Sequence, residues 1–318
     1  MKRLVFNYIV IAALVIVVAF TSCGSGGSNS SNSGGKGEMN TIASIEMTTK
    51  TCGDFTIELA GSGVAKIDWG DGSKKDIQNL YARVILKHTY PTQSVKTYTI
   101  TIYADTITGL DCKRSNLTSL NVSNNTELNH LICGGNPLKS LDVSKNTKLK
   151  TLYCYENQLT RLDVYNNIEL TALNCGTNRL TNLELSKNIA LTLLFCDFNQ
   201  LKSIDVNNNT ELTWFSCNNN QLTLLNISNN TVLSKFSCVN NQLTSLNVNK
   251  NSALSALVVR DNQFTAAALN KLFSTLHKNT VLPAQGESLA KIIHIGGNSG
   301  TDTCNQSTAK GKGWTVKY

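Results

Sequence analysis

The chain has 318 residues, a formal net charge of +8 and 16% charged side chains. Two of the basic residues stand at positions 2 and 3, and residues 110–256 hold 12 basic against 10 acidic residues, so no basic stripe follows the chain. This distribution indicates a solvated surface and excludes nucleic acid as the expected partner.

The first residues have the order of an export leader. Two basic residues precede an apolar run over residues 9–20, and small residues then lead to Cys23. This order resembles a bacterial lipoprotein signal, which implies a signal peptide over residues 1–23 with Cys23 as the lipidated residue. The apolar run is shorter than the roughly 20 residues that a membrane span needs, which disfavours the alternative of an uncleaved anchor.

Residues 24–40 are rich in glycine, serine and asparagine and predict a flexible linker. A chain with this leader is expected in the cell envelope, anchored to the outer membrane by its lipid. The linker lacks the acidic run that surface-exported lipoproteins of Bacteroidetes often show, so a periplasmic and a surface-exposed position both stay open.

Residues 41–107 contain short runs in which apolar and polar residues alternate, and this pattern predicts a small β-sandwich. The sequences WGDG at 69–72, HTY at 88–90 and YTI at 98–100 resemble landmarks of PKD-type immunoglobulin-like domains. The resemblance implies a spacer or adhesion module. The aspartates at 68, 71 and 76 match no calcium-loop spacing, so turns are favoured over a metal site.

The most regular feature is a cysteine every 21 residues, at Cys112, Cys133, Cys154, Cys175, Cys196, Cys217 and Cys238. Around each cysteine runs the frame L-x-C-x-x-N-x-L-x-x-L-x-V-x-x-N-x-x-L-x-x, with seven full copies and a partial eighth within residues 108–264. Repetition at a fixed period of this size indicates a solenoid, because each unit buries its apolar edge only by stacking on the next.

The frame L-x-x-L-x-C-x-x-N-x-L resembles the leucine-rich-repeat signature, and its nested 21-residue form is similar to the bacterial class of these repeats. Neither half of a repeat has room for a usual helix, and β-branched residues fill the inward site of the second half. The expected fold class is mainly β: a leucine-rich-repeat solenoid with two parallel strand ladders and little helix. The small β-sandwich precedes it, and a C-terminal cap of helix and strand follows.

Asparagines recur in two columns that are predicted to be structural. The first column comprises Asn136, Asn157, Asn178, Asn199, Asn220, Asn241 and Asn262, and the second comprises Asn125, Asn146, Asn167, Asn188, Asn209, Asn230 and Asn251. A buried amide satisfies turn backbone groups of its own coil and of the neighbouring coil, where an apolar residue would leave them unpaired.

The cysteine column is also predicted to be a structural ladder of small buried side chains. Thiols in line, without histidines beside them, do not surround one point as zinc ligands do, and in-register strands hold Cβ atoms farther apart than a disulfide prefers. No metal and no cofactor are therefore expected. Cys52 and Cys304 lie outside the column, and their redox state stays open.

Residues 265–318 are predicted to cap the last coil. Apolar residues at helical spacing predict a helix over 266–276, a strand is expected at 291–295, and the ending GWTV at 313–316 follows it. These elements would cover the open edge of the array, which stacked repeats require.

No arrangement of nucleophile, base and carboxylate surrounds the four histidines, so an enzyme is not expected. Aromatic and apolar residues instead occupy outward positions beside the interior leucines and cysteines, as recognition surfaces do. These candidate ligand-binding residues are His130, Ile132, Tyr153, Tyr155, Phe195 and Trp214 on the strand face, and Phe198 in the loop beyond it.

The function predicted from these features is that of a monomeric, lipid-anchored binding or adhesion module for a protein, peptide or glycan. Two alternatives stay open at this level: a purely structural spacer of the cell envelope, and an accessory to a polysaccharide-handling enzyme system. If the chain is only a structural spacer, the exposed aromatic residues stiffen a strand face and bind no ligand.

Overall fold

The computed structural model describes residues 43–81, 83–279 and 290–318. The predicted leader, the linker and the lipidation site at Cys23 lie outside these residues. The strands are β1 (Ala43–Thr51), β2 (Gly53–Asp68), β3 (Asp76–Asn79), β4 (Val84–Tyr90), β5 (Lys96–Asp111), β6 (Leu117–Asn121), β7 (His130–Ile132), β8 (Thr151–Tyr153), β9 (Ala172–Asn174), β10 (Leu193–Phe195), β11 (Trp214–Ser216), β12 (Lys235–Ser237), β13 (Ala256–Val258), β14 (Lys291–His294) and β15 (Trp314–Lys317). The helices are α1 (Ala266–Thr275) and α2 (Ser307–Gly311).

The N-terminal part is antiparallel and is organised by the two long strands β2 and β5. Strand β2 pairs with β3, β4 and β5, and β5 also pairs with β1. Alternation along β2 puts Phe55, Ile57 and Leu59 on one buried face, which is the period-2 pattern predicted for this segment. Directly after β2 in the chain, Trp69 stacks its ring on that of His88 in β4, with the ring centroids 4.8 Å apart.

The three aspartates near this tryptophan hold a turn together. Asp68 and Asp71 each accept a hydrogen bond from the backbone N–H two residues further on, at 3.1 and 3.0 Å. Asp76 Oδ2 accepts from Trp69 Nε1 at 2.7 Å. All three carboxylates therefore have structural partners, in the manner of the predicted turn.

The repeats form a parallel β-solenoid, which confirms the predicted fold class. Strands β7 to β13 pair in parallel and in register, one per coil, and β14 and β15 continue the ladder. At the other end, residues 109–111 of β5 pair in parallel with β7. Strand β5 thus crosses the boundary predicted at residue 108, and the position of that boundary stays a prediction.

The second half of the coil differs from the expected second ladder. Among the described residues it holds a strand only in the first coil, where β6 pairs antiparallel with β1. In later coils the backbone closes local turns, as when Asn167 N donates to Val164 O at 3.0 Å and Leu170 N donates to Asn167 O at 3.1 Å. Because these N–H groups bond within their own coil, they are not available for a second strand ladder.

The cap contains the predicted helix α1, whose N-cap residue Thr265 accepts from Ala268 N at 3.2 Å. No helix in the described ranges is long and apolar enough to cross a membrane. After α1 the repeat frame resumes with Ile293 and Ile295 buried and Asn298 in the asparagine position. Asn298 Nδ2 donates to Ile295 O at 2.7 Å, so a further coil follows the helix.

Candidate ligand-binding face of the strand ladder

Each short strand turns its central residue inward and its two neighbours outward. Because the strands pair in register, equivalent outward residues form columns across successive coils. The first outer column is His130, Thr151, Ala172, Leu193, Trp214 and Lys235, and the second is Ile132, Tyr153, Asn174, Phe195, Ser216 and Ser237. The residues after the cysteines form the third, with Gly134, Tyr155, Gly176, Asp197, Asn218 and Val239. We call these three columns the strand face.

Six of the seven predicted ligand-binding residues lie on the strand face, and all six are partly exposed. Two of them touch: the Phe195 and Trp214 rings are edge to face, with centroids 5.1 Å apart. Lys235 Nζ lies 4.6 Å from the Trp214 ring centroid, which is cation–π geometry. Contacts from both neighbouring coils therefore fix the orientation of the indole.

Tyr155 lies flat against the preceding coil. A Cβ atom on Gly134 would come within 2.7 Å of two carbons of the Tyr155 ring, so only glycine leaves room for this position of the ring. Similarly, a Cβ atom on Gly135 would come within 2.6 Å of Arg114 Cγ. Burial raises the pKa of Tyr155, so the phenol stays protonated at neutral pH.

A polar network that the sequence analysis did not identify adjoins the aromatic residues. Asp197 Oδ1 accepts hydrogen bonds from Ser216 Oγ at 2.5 Å and from Asn218 N at 2.7 Å. Asn218 Oδ1 in turn accepts from Ser237 Oγ at 2.6 Å. Burial raises the pKa of Asp197, and the hydrogen bonds from Ser216 and Asn218 act in the opposite direction. The only sequence signal was that Asp197 is the one carboxylate among the residues that directly follow the seven cysteines of the column.

His130 and Ile132 occupy β7, at the N-terminal end of the aromatic series. Burial, and then the nearby charge of Lys150, lowers the pKa of His130 below 6.5, so the imidazole is neutral at pH 7. Ile132 is in register with Tyr153 of the next strand. On its other side Ile132 is in register with Asp111, whose carboxylate is paired with Lys113 at 2.6 Å, so charged groups border this end of the strand face.

Phe198 does not belong to the strand face. Its backbone has φ of 53°, the left-handed conformation that recurs two residues after the cysteine position in successive coils. The side chain is 45% exposed in the loop. The sequence predicts a position beyond the strand for Phe198, and the left-handed turn explains why its side chain projects from the edge.

The cysteine and asparagine columns lie behind the strand face. All seven cysteines are free thiols with no exposed surface, and burial raises the pKa of each one. Reactive thiolates need the opposite environment. No group of three His, Cys, Asp or Glu side chains that could hold a metal occurs in the described residues.

Comparisons with known proteins give likenesses only at the level of solved structures. No family model and no curated protein matches the sequence. The functional domain of InlJ from Listeria monocytogenes, described as including a cysteine ladder, is 27% identical over 58% of this chain and 53% of its own length, with a TM-score of 0.37.

Two further structures are similar to the chain. The leucine-rich effector protein YopM from Yersinia pestis is 22% identical over 55% of this chain and 50% of its own, with a TM-score of 0.42. The leucine-rich repeat domain of APL1B is 16% identical over 58% of this chain and 52% of its own, with a TM-score of 0.46. The chain thus spans about half the length of these structures, and with all TM-scores below 0.5 the likenesses carry no conclusion about ligands.

Proposed function

We propose that this chain is a non-catalytic binding module whose strand face recognises a ligand. The observation that carries this proposal is the display of three partly exposed aromatic residues on one strand ladder: Tyr153 and Phe195 lie in the second outer column two strands apart, and Trp214 lies in the first outer column of the strand after Phe195. Large aromatic side chains contribute much of the energy of recognition, and those held in one conformation lose little entropy on binding.

Neighbouring contacts support the proposal because they orient the aromatic groups before any ligand arrives. Trp214 is held between Phe195 and Lys235, and Tyr155 lies against Gly134. A face that served only as a spacer would not need these fixed side chains, since the buried columns already hold the coils together. Binding is thus favoured over the purely structural alternative.

A double substitution tests the proposal. The Tyr153→Ser, Trp214→Ser variant is compared with the Tyr165→Ser, Ile168→Ser variant, whose residues are 52% and 57% exposed away from the strand face. Arrays of peptides and of neutral and charged oligosaccharides are probed with labelled full-length chain. Binding should be saturable and at least tenfold weaker for the first variant only. Equal binding by both variants, or no saturable binding, would favour the spacer.

We also propose that the chain is exported, anchored by a lipid on Cys23 and held off the outer membrane by the PKD-like N-terminal part. The support is the order of basic start, apolar run and small residues before Cys23 in the sequence. In a Gram-negative host, Cys23→Ser should abolish incorporation of a labelled fatty acid and release the chain from the membrane fraction. Retention of the label by this variant would contradict the anchor. Protease treatment of intact cells then separates surface from periplasmic display.

A further inference from the structure

One coil of the strand face differs from its neighbours in the size of its outward residues. Strand β9 and the residue after its cysteine present Ala172, Asn174 and Gly176. The preceding coil presents a threonine and two tyrosines at the equivalent positions, and the following coil presents Leu193, Phe195 and Asp197. We call the surface over these three small residues the transverse groove. It runs across the solenoid axis, and the larger outward residues of the preceding and following coils form its two walls.

The walls of the groove lean away from its floor. On one side the Tyr155 ring lies over Gly134, in the coil before. On the other side Phe195 contacts Trp214, and the Asp197 carboxylate is drawn by hydrogen bonds toward the coil of Ser216 and Asn218. The Tyr155, Phe195 and Asp197 side chains are therefore engaged with other coils, and on the floor Asn174 is partly exposed while Ala172 and Gly176 are buried.

The spacing of the walls fits one ring. Adjacent strands lie about 4.8 Å apart, so the strands that carry the walls, β8 and β10, are separated by about 9.6 Å. Rings that pack on each other have centroids roughly 4.5–7 Å apart, so a single ring on the floor would meet Tyr153 on one side and Phe195 on the other. Two rings side by side would not fit.

The polar groups of the groove indicate which functional groups a bound ring should carry. Asn174 Oδ1 accepts from Gly176 N at 3.1 Å, and in the part of the chain described here Asn174 Nδ2 has no protein acceptor. Asp197 contributes a carboxylate at the wall, and no cation stands among the six wall residues. An amide donor and a carboxylate acceptor between aromatic rings suit a neutral ring that carries hydroxyl groups and apolar C–H faces.

We propose that the transverse groove binds one pyranose ring of a neutral glycan, an inference that rests on the strand face being a binding surface. The ring stacks its C–H faces on Tyr153 and Phe195, and its hydroxyl groups bond to Asn174 and Asp197. An anionic sugar is disfavoured because the groove residues include the carboxyl group of Asp197 and no cation.

Filling the groove tests this assignment without removing any aromatic residue. Asn174→Tyr puts a tyrosine on the floor of the groove, in a column that already contains Tyr153. Val258→Tyr is the matched control, because Val258 lies in the same column but in β13, away from the groove. Ala172→Leu and Ala256→Leu form a second matched pair in the first outer column, where Leu193 already stands. The second pair keeps the test valid if a tyrosine variant does not fold.

Calorimetric titration of the full chain with neutral hexasaccharides of glucose, mannose and xylose is the measurement, with hexagalacturonate as the anionic comparison. We expect saturable binding of at least one neutral hexasaccharide, a loss of at least tenfold in affinity for the two groove variants, and a change of less than twofold for the two controls. Wild-type affinity in both groove variants would overturn the assignment.

The outcomes also separate this assignment from the proposed function. If only peptides bind, and the Tyr153→Ser, Trp214→Ser variant loses them, the glycan assignment is overturned while the strand face remains a binding surface. If neither peptides nor sugars bind, both are overturned. Tighter binding of hexagalacturonate than of every neutral sugar would also contradict the assignment, because it would require a cation at the site.

Discussion

At the scale of single residues, the two asparagine columns use their amides differently. Asn178 Nδ2 donates to Cys154 O at 3.0 Å and Cys175 O at 3.1 Å, and its Oδ1 accepts from Leu159 N at 3.0 Å. In the second column Asn167 Nδ2 donates to two carbonyls, but its buried Oδ1 has no protein donor in the described ranges. The first column therefore holds the coils together more completely.

Removing one amide of the first column should destabilise the solenoid. Asn178→Ala leaves the buried Leu159 N–H without a partner and removes one of the two amide bonds to each of Cys154 O and Cys175 O, which should cost about 2 kcal/mol in the free energy of unfolding. Asn166→Ala is the control, because Asn166 is exposed and donates only a long bond of 3.4 Å to Ser144 O. Its effect should stay within about 0.5 kcal/mol in the same urea titration. Equal midpoints for the two variants would show that the ladder amide is dispensable.

The carboxylate of Asp71 makes a pH-dependent contribution to the N-terminal part. Its Oδ2 lies 2.8 Å from His88 Nε2. Burial acts to raise the pKa of Asp71, but hydrogen bonds from Ser73 and then from His88 outweigh it and lower the pKa from 3.8 to about 2. Because the folded state has the lower pKa, the stabilisation is present above about pH 4 and is lost as the pH falls toward 2.

Asp71→Asn should therefore lower the free energy of unfolding by about 2 kcal/mol at pH 7, as a shift of this size implies. The difference between variant and wild type should shrink when the unfolding titrations are repeated between pH 4 and pH 2. Asp54→Asn, at an exposed carboxylate bonded to Thr89, serves as the control. A difference that is independent of pH would mean that the charge of Asp71 contributes nothing.

At the scale of elements, the helix of the cap is fastened by a lysine. Lys312 Nζ donates to Ser274 O at 2.6 Å and to Leu276 O at 2.7 Å, the carbonyls at the C-terminal end of α1. A cation at this end also interacts favourably with the helix dipole. The sequence predicted the helix from its apolar spacing, but nothing in the sequence connected it with a lysine 36 residues further on.

Lys312→Met should loosen α1 while leaving the repeats unchanged. Losing the two charge-assisted bonds should cost about 1.4 kcal/mol, which corresponds to roughly tenfold faster amide exchange in the last turn of the helix. Lys310→Met is the control, because Lys310 is exposed. Hydrogen exchange with mass spectrometry measures peptides from α1 and peptides from the repeats in one experiment. Faster exchange in both variants would point to a general charge effect.

At the scale of the whole molecule, one strand ladder runs from β5 through the repeats to β15. A parallel ladder exposes unpaired backbone groups at each end, and such edges favour aggregation. Here the N-terminal strands continue into the first coil, while β14, β15 and α1 extend the last. The parts of the chain on either side of the repeats therefore pair with the first and last repeat strands, β7 and β13, which would otherwise be exposed edges.

Deleting residues 265–318 should consequently cause aggregation, because the edge of β13 and the fully buried Phe264 would lose their cover. Light scattering after size-exclusion chromatography would detect it, and the intact chain should elute as a monomer. A truncated chain that stays soluble and monomeric with an unchanged melting transition would show that the cap is not required.

The 21-residue period by itself determined the solenoid, the inward columns of cysteine and asparagine, and which residues face outward. It did so because stacking forces every repeat to bury the same positions. The tertiary structure alone decided that the second half of the coil forms turns, that β5 is shared, and that Tyr155 and Phe195 lean away from Asn174. Those features depend on which neighbour each backbone group or side chain contacts, and a repeat frame leaves that choice open.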